Sequence, residues 1–428
     1  MDARLQKRYL QLVDSHMNAV QALAAGVKAL PQAGNAFAVT QAAWRFFCNP
    51  RVTLSKLVEP LRDAGRQACD TSPSPYVLLV HDWSKLAYNG HQSKTDMTQL
   101  SQALDRGYEL TGVLLVDAHN GTPLAPMGIS VLSADGTHTT ESDTPQPRVG
   151  HLEQILPWME AARSWGLSKR CVHVIDREAD SLKHARAWDA DKHLFLVRAD
   201  DRRVTFRGQS HRLSQIVQLL QEEGRFQATG EVSLRGRPGY QWVAEAEIVL
   251  EGPGWERTPD GKRRRVPGPP LRLRLVVAQV RDAQGKLLAE WLLLTNVWDV
   301  SAHQITLWYY WRWKIESFYK LLKSAGLEVE QWQQETARAI AKRLLVGCMA
   351  CVAVWLLQRQ TTAESQECQR FLVRLSGRQM KRKRPVTAPA LLAGLHLLLC
   401  MLDVLQAYTP AQLQAFAAMA VPYRCRSG

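Results

Sequence analysis

Apolar residues recur at helical spacing through the first 70 positions, in Leu5, Leu10, Leu12, Val13, Met17, Val20 and Leu23, and again in Ala43, Trp44, Phe46 and Phe47. Turn signals stand at Pro31 to Gly34 and at Asn49-Pro50. This pattern predicts a small helical domain over residues 1–70. From residue 76 it gives way to short apolar runs that read as strands: YVLLV (76–80), LTGVLLVDA (110–118), MGISVL (127–132), CVHVID (171–176) and HLFLVRA (193–199). Asn120-Gly121 between the second and third is a strong hairpin signal. A helical pattern over 150–167 separates the third run from the fourth, so strands and helices mix and the expected class is α/β.

Residues from about 200 to 290 have a different texture, with alternating segments such as LRLRLVVAQVR (271–281), Gly and Pro punctuation and the basic cluster Lys262 to Arg265. Strict alternation predicts half-buried antiparallel strands, here forming a β-rich insertion. The strand WLLLTN (291–296) then leads into one long helix from about His303 to Ala325, and the chain reads as helical after Arg338, apart from the basic loop 377–385. Three regions are expected: a helical domain over 1–70, a mixed domain over 71–345 that contains the insertion, and a helical region over 346–428.

Composition narrows the class. At 428 residues, 46% hydrophobic and 22% charged, the chain has the make-up of a globular protein with a sizeable core. The longest apolar stretches, 344–357 and 388–402, fall short of the ~18–20 residues of a membrane span, so no membrane crossing is expected. The first 17 residues carry charge throughout and lack the apolar centre of a signal peptide, which predicts a cytoplasmic protein. Eight scattered cysteines make no disulfide framework, and Cys348 and Cys351, inside an apolar helical stretch, read as buried thiols. The net charge of +14 points outward, to a polyanionic partner, either nucleic acid or an acidic membrane surface.

The helix after strand 291–296 contains Tyr309, Arg312, Glu316 and Lys323, at offsets of 0, 3, 7 and 14. At about 100° per residue these project within roughly 60° of one another, on one polar stripe. Trp308, Trp311, Ile315, Phe318 and Leu322 fall on the other side. Asp82 directly follows the run YVLLVH, and Asp176 ends CVHVI, so both stand at strand ends. If the fold brings them to Glu316, three carboxylates converge. Like charges ~4 Å apart cost about 1 kcal/mol in water-like surroundings and about 4 at an effective dielectric near 20, so such a cluster needs cations. Hard oxygen ligands select Mg2+ or Mn2+, and two such ions can activate the attacking oxygen and stabilise the leaving one in a phosphodiester displacement. Arg312 and Lys323 on the same stripe would hold phosphates. The residues by themselves leave this open against a set of unrelated salt bridges.

The string YYWRWKIESFYKLLK, with Tyr309, Arg312, Glu316 and Lys323 in register, resembles the Y-R-E-K signature of the insertion-sequence-four family of bacterial DDE transposases. VIDREAD (174–180) and VLLVHDWSKLAY (77–88) resemble the segments around that family's second and first aspartates, in order, over about 75–357. The resemblance implies a ribonuclease-H-like catalytic core with a β-rich insertion. It implies a triad of Asp82, Asp176 and Glu316 that binds two divalent ions, Mg2+ or Mn2+. It also implies cut-and-paste chemistry on double-stranded DNA: hydrolysis at a transposon end, a hairpin made by the freed 3′ hydroxyl, and joining to target DNA. By the same resemblance Trp291 stacks on a flipped base, Arg198 contacts DNA near the site, and the protein acts as a homodimer on two ends, at the bacterial nucleoid.

The N-terminal helices are the expected DNA-binding element, and the apolar run 391–405 a candidate dimer surface. Asp82 is followed by Trp83-Ser84 where the family carries two threonines. Asp117, beside the Asn-Gly turn, is read as a turn residue. Two other functions stand beside transposition: a DNA-binding remnant or inhibitor without catalysis, against which the retained carboxylates argue, and a metal-dependent nuclease that cuts without joining.

Overall fold

In the computed structural model, which describes residues 1–18, 36–234, 237–258, 261–323, 327–378 and 386–420, three helices open the chain. They are α1 (Ala3–Asn18), α2 (Ala36–Cys48) and α3 (Leu54–Asp70). The expected turn at 31–34 and most of the basic loop at 377–385 lie outside the described residues. Strands β1 (Tyr76–Ala87), β2 (Thr98–Gln99), β3 (Arg106–Asp117), β4 (Pro123–Ser133) and β5 (Gly136–Thr139) come next, then α4 (His151–Ala162), β6 (Arg170–Ile175), α5 (Leu182–Ala190) and β7 (Leu194–Arg198). The five apolar runs thus appear as β1, β3, β4, β6 and β7. Gly121, at φ +71°, closes the turn from β3 to β4 by donating to the Asp117 carbonyl at 2.8 Å. The Asp117 carboxylate accepts from the His119 N–H at 2.8 Å and from Ser72 at 2.7 Å, a turn role.

The alternating segment contributes β8 (Arg203–Phe206), β9 (Gln209–Arg212), α6 (Leu213–Glu222), β10 (Gln227–Leu234), β11 (Arg237–Leu250), β12 (Gly254–Arg257), β13 (Arg263–Val266), β14 (Leu271–Arg281) and β15 (Leu287–Thr295). Its long strands extend the central sheet, whose order is β5-β4-β3-β1-β6-β7-β15-β14-β11-β8-β9 with β2 on β3 and β10 on β11. The basic cluster 262–265 sits on the separate β12–β13 hairpin. At the centre, β1, β6 and β7 run parallel, and the strands on both flanks are antiparallel. The fold is therefore a large mixed sheet with flanking helices. β1 pairs with β3 along its whole length, but with β6 only from Tyr76↔Arg170 to Val80↔Val174. Beyond Val80 β1 has no strand partner on its β6 side among the described residues; there Lys323 donates to the Lys85 carbonyl and Ala87 N–H donates to Glu330 at 3.0 Å.

Helices α7 (Ala302–Trp311), α8 (Trp313–Lys323), α9 (Ala337–Arg359), α10 (Ala363–Leu375), α11 (Ala388–Ala407) and α12 (Pro410–Ala420) complete the chain. The single helix expected over 303–325 is broken at Arg312. Arg312 N–H donates to the Tyr309 carbonyl and Ile315 N–H to the Arg312 carbonyl, both at 3.1 Å, two i→i+3 bonds that tighten one turn and rotate α8 about the axis relative to α7. The expected apolar side holds, since Trp308, Ile315, Phe318 and Leu322 are buried and Trp311 is half-buried.

One hydrophobic cluster joins α1, α2 and α3 to β1, β3, β4, α7, α8 and α9, so the N-terminal helices share the core that supports the sheet. Gly65 of α3 packs so close to β4 that a Cβ there would lie 2.7 Å from the Met127 sulfur. A second cluster packs α4, α5 and α6 on β7, β11 and β14. Cys348 and Cys351 are fully buried in α9, as expected of core thiols. The expectation from uninterrupted apolar runs understates two helices: α9 at 23 residues and α11 at 20 are long and apolar enough to cross a membrane by length and composition. The apolar window of α9 is 78% buried inside the protein, and that of α11 28%.

Candidate active site

The two aspartates belong to adjacent parallel strands: Asp176 stands just past the end of β6, whereas Asp82, expected at a strand end, lies inside β1 (Tyr76–Ala87), because β1 continues along β3 after its pairing with β6 stops. Asp176 immediately follows β6, where its Oδ1 accepts the Glu178 N–H at 2.8 Å and so caps a short turn over Arg177–Ala179. Asp82 stands on β1 two residues past the last pair with β6, and its Oδ1 accepts the Trp83 N–H at 2.9 Å. Helix α8 supplies Glu316. These three carboxylates line one open groove of about 480 Å³ together with Trp83, Ser84, Arg312, Tyr319, Lys320 and Lys323.

Arg312 sits at the centre. Its guanidinium is buried and spans Asp82 Oδ2 at 3.0 Å and Glu316 Oε1 at 2.7 Å, while its Nε is buried without a hydrogen-bond partner. From the helical stripe this side chain is expected to reach outward to phosphate; the tightened turn sets it among the carboxylates instead. Burial works against the Arg312 charge, but Tyr309, Asp82, Glu316 and Asp176 outweigh it and hold the guanidinium above its ordinary value. Burial pushes the Asp82 carboxyl up to about 6 against the pull of Arg312 and the Trp83 N–H, with Asp176 and Glu316 adding to the rise. These mutual influences place all three acids within electrostatic reach of one another.

The other expected residues fall at the margins. Tyr309 is buried, and burial raises its phenol pKa against the opposing charges of Arg312 and Arg198. Arg198, at the end of β7, is half-buried on that side. Lys323 lines the groove, but it donates to the Lys85 carbonyl and pairs with Glu330 at 3.4 Å. Trp291 does not reach the groove. It is half-buried on β15 and lines an apolar cavity of about 210 Å³ with Tyr309, Tyr310, Trp311 and Trp313.

Four further residues line the groove without having been expected as site residues: Trp83 and Ser84, noted in the sequence only as a departure after Asp82, and Tyr319 and Lys320. Lys320 is nonetheless legible, since it lies four residues after Glu316, one helical turn on, and points to the same side. It is exposed and makes no ion pair among the described residues. Tyr319 is legible only in three dimensions. Its hydroxyl donates to the Asp82 carbonyl at 2.5 Å, passing over Gly112, the cross-strand partner of Asp82. A Cβ on Gly112 would lie 2.9 Å from the Tyr319 oxygen. Gly112→Ala is therefore expected to force the buried ring off Asp82 and to cost about 1–3 kcal/mol of stability, as overpacking does. Chemical denaturation checks this, and an unchanged midpoint would count against the close fit.

The donor set suits hard divalent cations. Asp176 and Glu316 each keep one carboxylate oxygen outside the contacts named for them, and Asp82 brings a raised pKa that a cation would relieve. Among the described residues, the tighter group of metal-capable atoms is elsewhere. Glu160, Asp191 and His193 bring ligand atoms within 4.8 Å of one another, close enough to hold a metal ion. His193 and Glu160 already meet at 2.6 Å, and Arg163 pairs with Glu160 at 2.9 Å, so that cluster carries its own counter-charge. No sequence motif announces it.

No protein-family model matches the chain, and no curated protein matches it. Among solved structures, the chain is similar to the piggyBac transposase of a synaptic complex with hairpin DNA, with a TM-score of 0.37 and 8% identity over 96% of this chain and 74% of that one.

Proposed function

We propose that this protein is a DNA transposase of the DDE type, with Asp82, Asp176 and Glu316 as its metal-binding triad. One observation carries the reading: three carboxylates from three separate elements line the same groove as Arg312, Lys320 and Lys323. Isolated salt bridges have no reason to gather on one open surface next to a spare cation, Lys320, whereas a site for metal ions and a polyanion needs both charges side by side. A ribonuclease-H-like reading of the core is supported by the position of the two aspartates on neighbouring parallel central strands, Asp82 two residues past the last pair of β1 with β6 and Asp176 just past the end of β6.

Divalent ions held by Asp82, Asp176 and Glu316 would supply Lewis-acid stabilisation of the attacking and leaving oxygens. The chain's own part is to hold the DNA in line. Lys320, exposed and without an ion pair among the described residues, would neutralise a phosphate at the groove; Arg312 bridges Asp82 to Glu316 and opposes the rise that burial causes in the Asp82 pKa; Tyr319 fixes the backbone of Asp82. Trp291 with its aromatic cavity, and Arg198 beside Tyr309, form the adjoining surface that would receive the DNA end. Dimerisation through the last helices is supported by the exposed face of α11, with Leu397, Met401, Leu402 and Leu405.

The deciding experiment incubates the protein with duplexes that carry the DNA flanking its gene, labelled at the 5′ end of the strand whose cleavage frees the transposon 3′ hydroxyl, with Mg2+ or Mn2+ and a target plasmid. Transposition yields cut ends and label joined to the plasmid. Cutting without joining identifies a nuclease, and binding without cutting identifies an inactive remnant. Within this reading Lys320→Ala is expected to lower the slope of log affinity against log salt by about 1, more than Lys323→Ala does, because Glu330 already neutralises Lys323. A slope in Lys320→Ala equal to that of the wild type would place Lys320 off the DNA.

A further inference from the structure

Trp83 follows Asp82 on the part of β1 beyond its last pair with β6, and it lines the carboxylate groove while half-buried. One face of its indole is covered by the imidazole of His151, with ring centroids 4.2 Å apart and planes 26° from parallel. His151 opens α4 and is itself fixed, since its Nε2 meets Glu109 Oε1 of β3 at 2.5 Å. Burial works against a charge on His151, but Glu109, supported by Glu178 and Asp176, raises its pKa above the ordinary value. The indole is therefore held between a strand and a helix start by a stacked ring that is itself tied down. Its backbone N–H is bonded to the Asp82 carboxylate, which ties its position to the triad.

A rigid aromatic surface at the lip of a groove built for phosphates has an evident ligand. Every nucleobase presents a π-face, and a base that has left its stack regains about 1–3 kcal/mol on an aromatic side chain. Immobilisation of the indole before binding removes part of the ordering cost. We propose that Trp83, backed by His151 and Glu109, is a stacking platform for an unpaired nucleobase next to the phosphodiester held at the carboxylate groove. It is on β1 beside Asp82 with its indole against the start of α4, whereas the cavity of Trp291 is on β15, beyond β6 and β7 in the sheet, so the two aromatic sites would take bases from different positions along the DNA.

The inference rests on the reading of the groove as a DNA-cleaving site, and its test separates the two. Fluorescein-labelled 30-base-pair duplexes are titrated with the full chain in Ca2+, in three forms: blunt, with a three-nucleotide single-stranded tail on either strand, and with the same tail lacking the base nearest the duplex. The intact tail is expected to bind about tenfold more tightly than the tail lacking that base. Trp83→Ala should bring this ratio close to one, and Trp83→Phe should retain most of it; 2-aminopurine at the same position should be quenched by the wild-type chain and not by Trp83→Ala. A ratio that Trp83→Ala leaves unchanged, or a wild-type ratio of one with both DNAs bound, overturns the platform and leaves the groove intact as a DNA site. Failure of all three duplexes to bind at low salt overturns the underlying reading.

Discussion

Glu316→Gln is expected to lower metal-dependent DNA cleavage by at least about a thousandfold while DNA binding persists. The substitution keeps the shape of the side chain and an oxygen that can accept from Arg312, now 2.7 Å away, so the local packing has little reason to change. It removes one negative charge and one anionic metal ligand. With Arg312 no longer balanced by two carboxylates, the groove becomes more positive, and affinity for DNA should hold or rise. Cleavage of end-bearing duplexes in Mg2+ and an equilibrium titration of the same duplexes in Ca2+ provide the two readouts. A variant that cuts within tenfold of the wild type would remove Glu316 from the site, and one that loses both cutting and binding would point to a folding defect.

The strands at the centre of the sheet are legible in the sequence because they are buried on both faces, and such strands read as near-continuous apolar runs. YVLLV, LTGVLLVDA and CVHVID have no other reasonable fate in a globular chain. The carboxylates are legible for a related reason. Asp82 and Asp176 are charged residues set directly after those runs, Asp176 where its strand ends and Asp82 where the apolar run stops although the strand continues to Ala87. Glu316 is legible from helical phase. The break at Arg312 is not, because nothing in YYWRWKIES disfavours a continuous helix, and the guanidinium bridges Glu316, one turn on, to Asp82, a partner from a distant strand. Nor can phase alone tell that Lys323 is consumed by Glu330, a partner from the segment after α8.

The alternating segment shows a different limit. Its period identifies antiparallel strands, but period does not specify the neighbour. Only the pairing of β15 with β7 puts these strands on the same sheet as the parallel centre. In the same way Trp83 looks in sequence like an ordinary strand tryptophan. Its relation to His151 depends on where α4 begins, some 68 residues later, and on Glu109 from the neighbouring strand.

The pH dependence of stability provides a second test of large effect, because Asp82 is strained in the absence of a cation. Its carboxyl is raised from an ordinary 3.8 to about 6, first by burial and then by Asp176 and Glu316. A carboxyl raised by folding binds its proton more tightly in the native chain than in the unfolded one. The stability it confers is therefore complete below pH 3.8 and disappears as pH rises through about 6, a loss of roughly 3 kcal/mol by neutrality. Other carboxylates run the opposite way: Asp299, held low by the Tyr76 hydroxyl and Arg170, destabilises the fold as pH falls. The difference between wild type and Asp82→Asn isolates the Asp82 contribution, and wild type should lose stability relative to Asp82→Asn between about pH 4 and 6.5. A divalent cation should reverse that loss. At 100 times its Kd it adds about 2.7 kcal/mol to the wild type, a rise of a few degrees in Tm at about pH 7.5. The rise should fade toward about pH 5, as protons displace the ion, and be largely absent in Asp82→Asn. Thermal melts in Mg2+, Mn2+ and Ca2+ across this range measure it, with Glu160→Gln as the comparison that reports any ion held instead at Glu160, Asp191 and His193. A metal-induced rise that Asp82→Asn keeps and Glu160→Gln loses would move the metal centre to that second cluster and leave the groove without one.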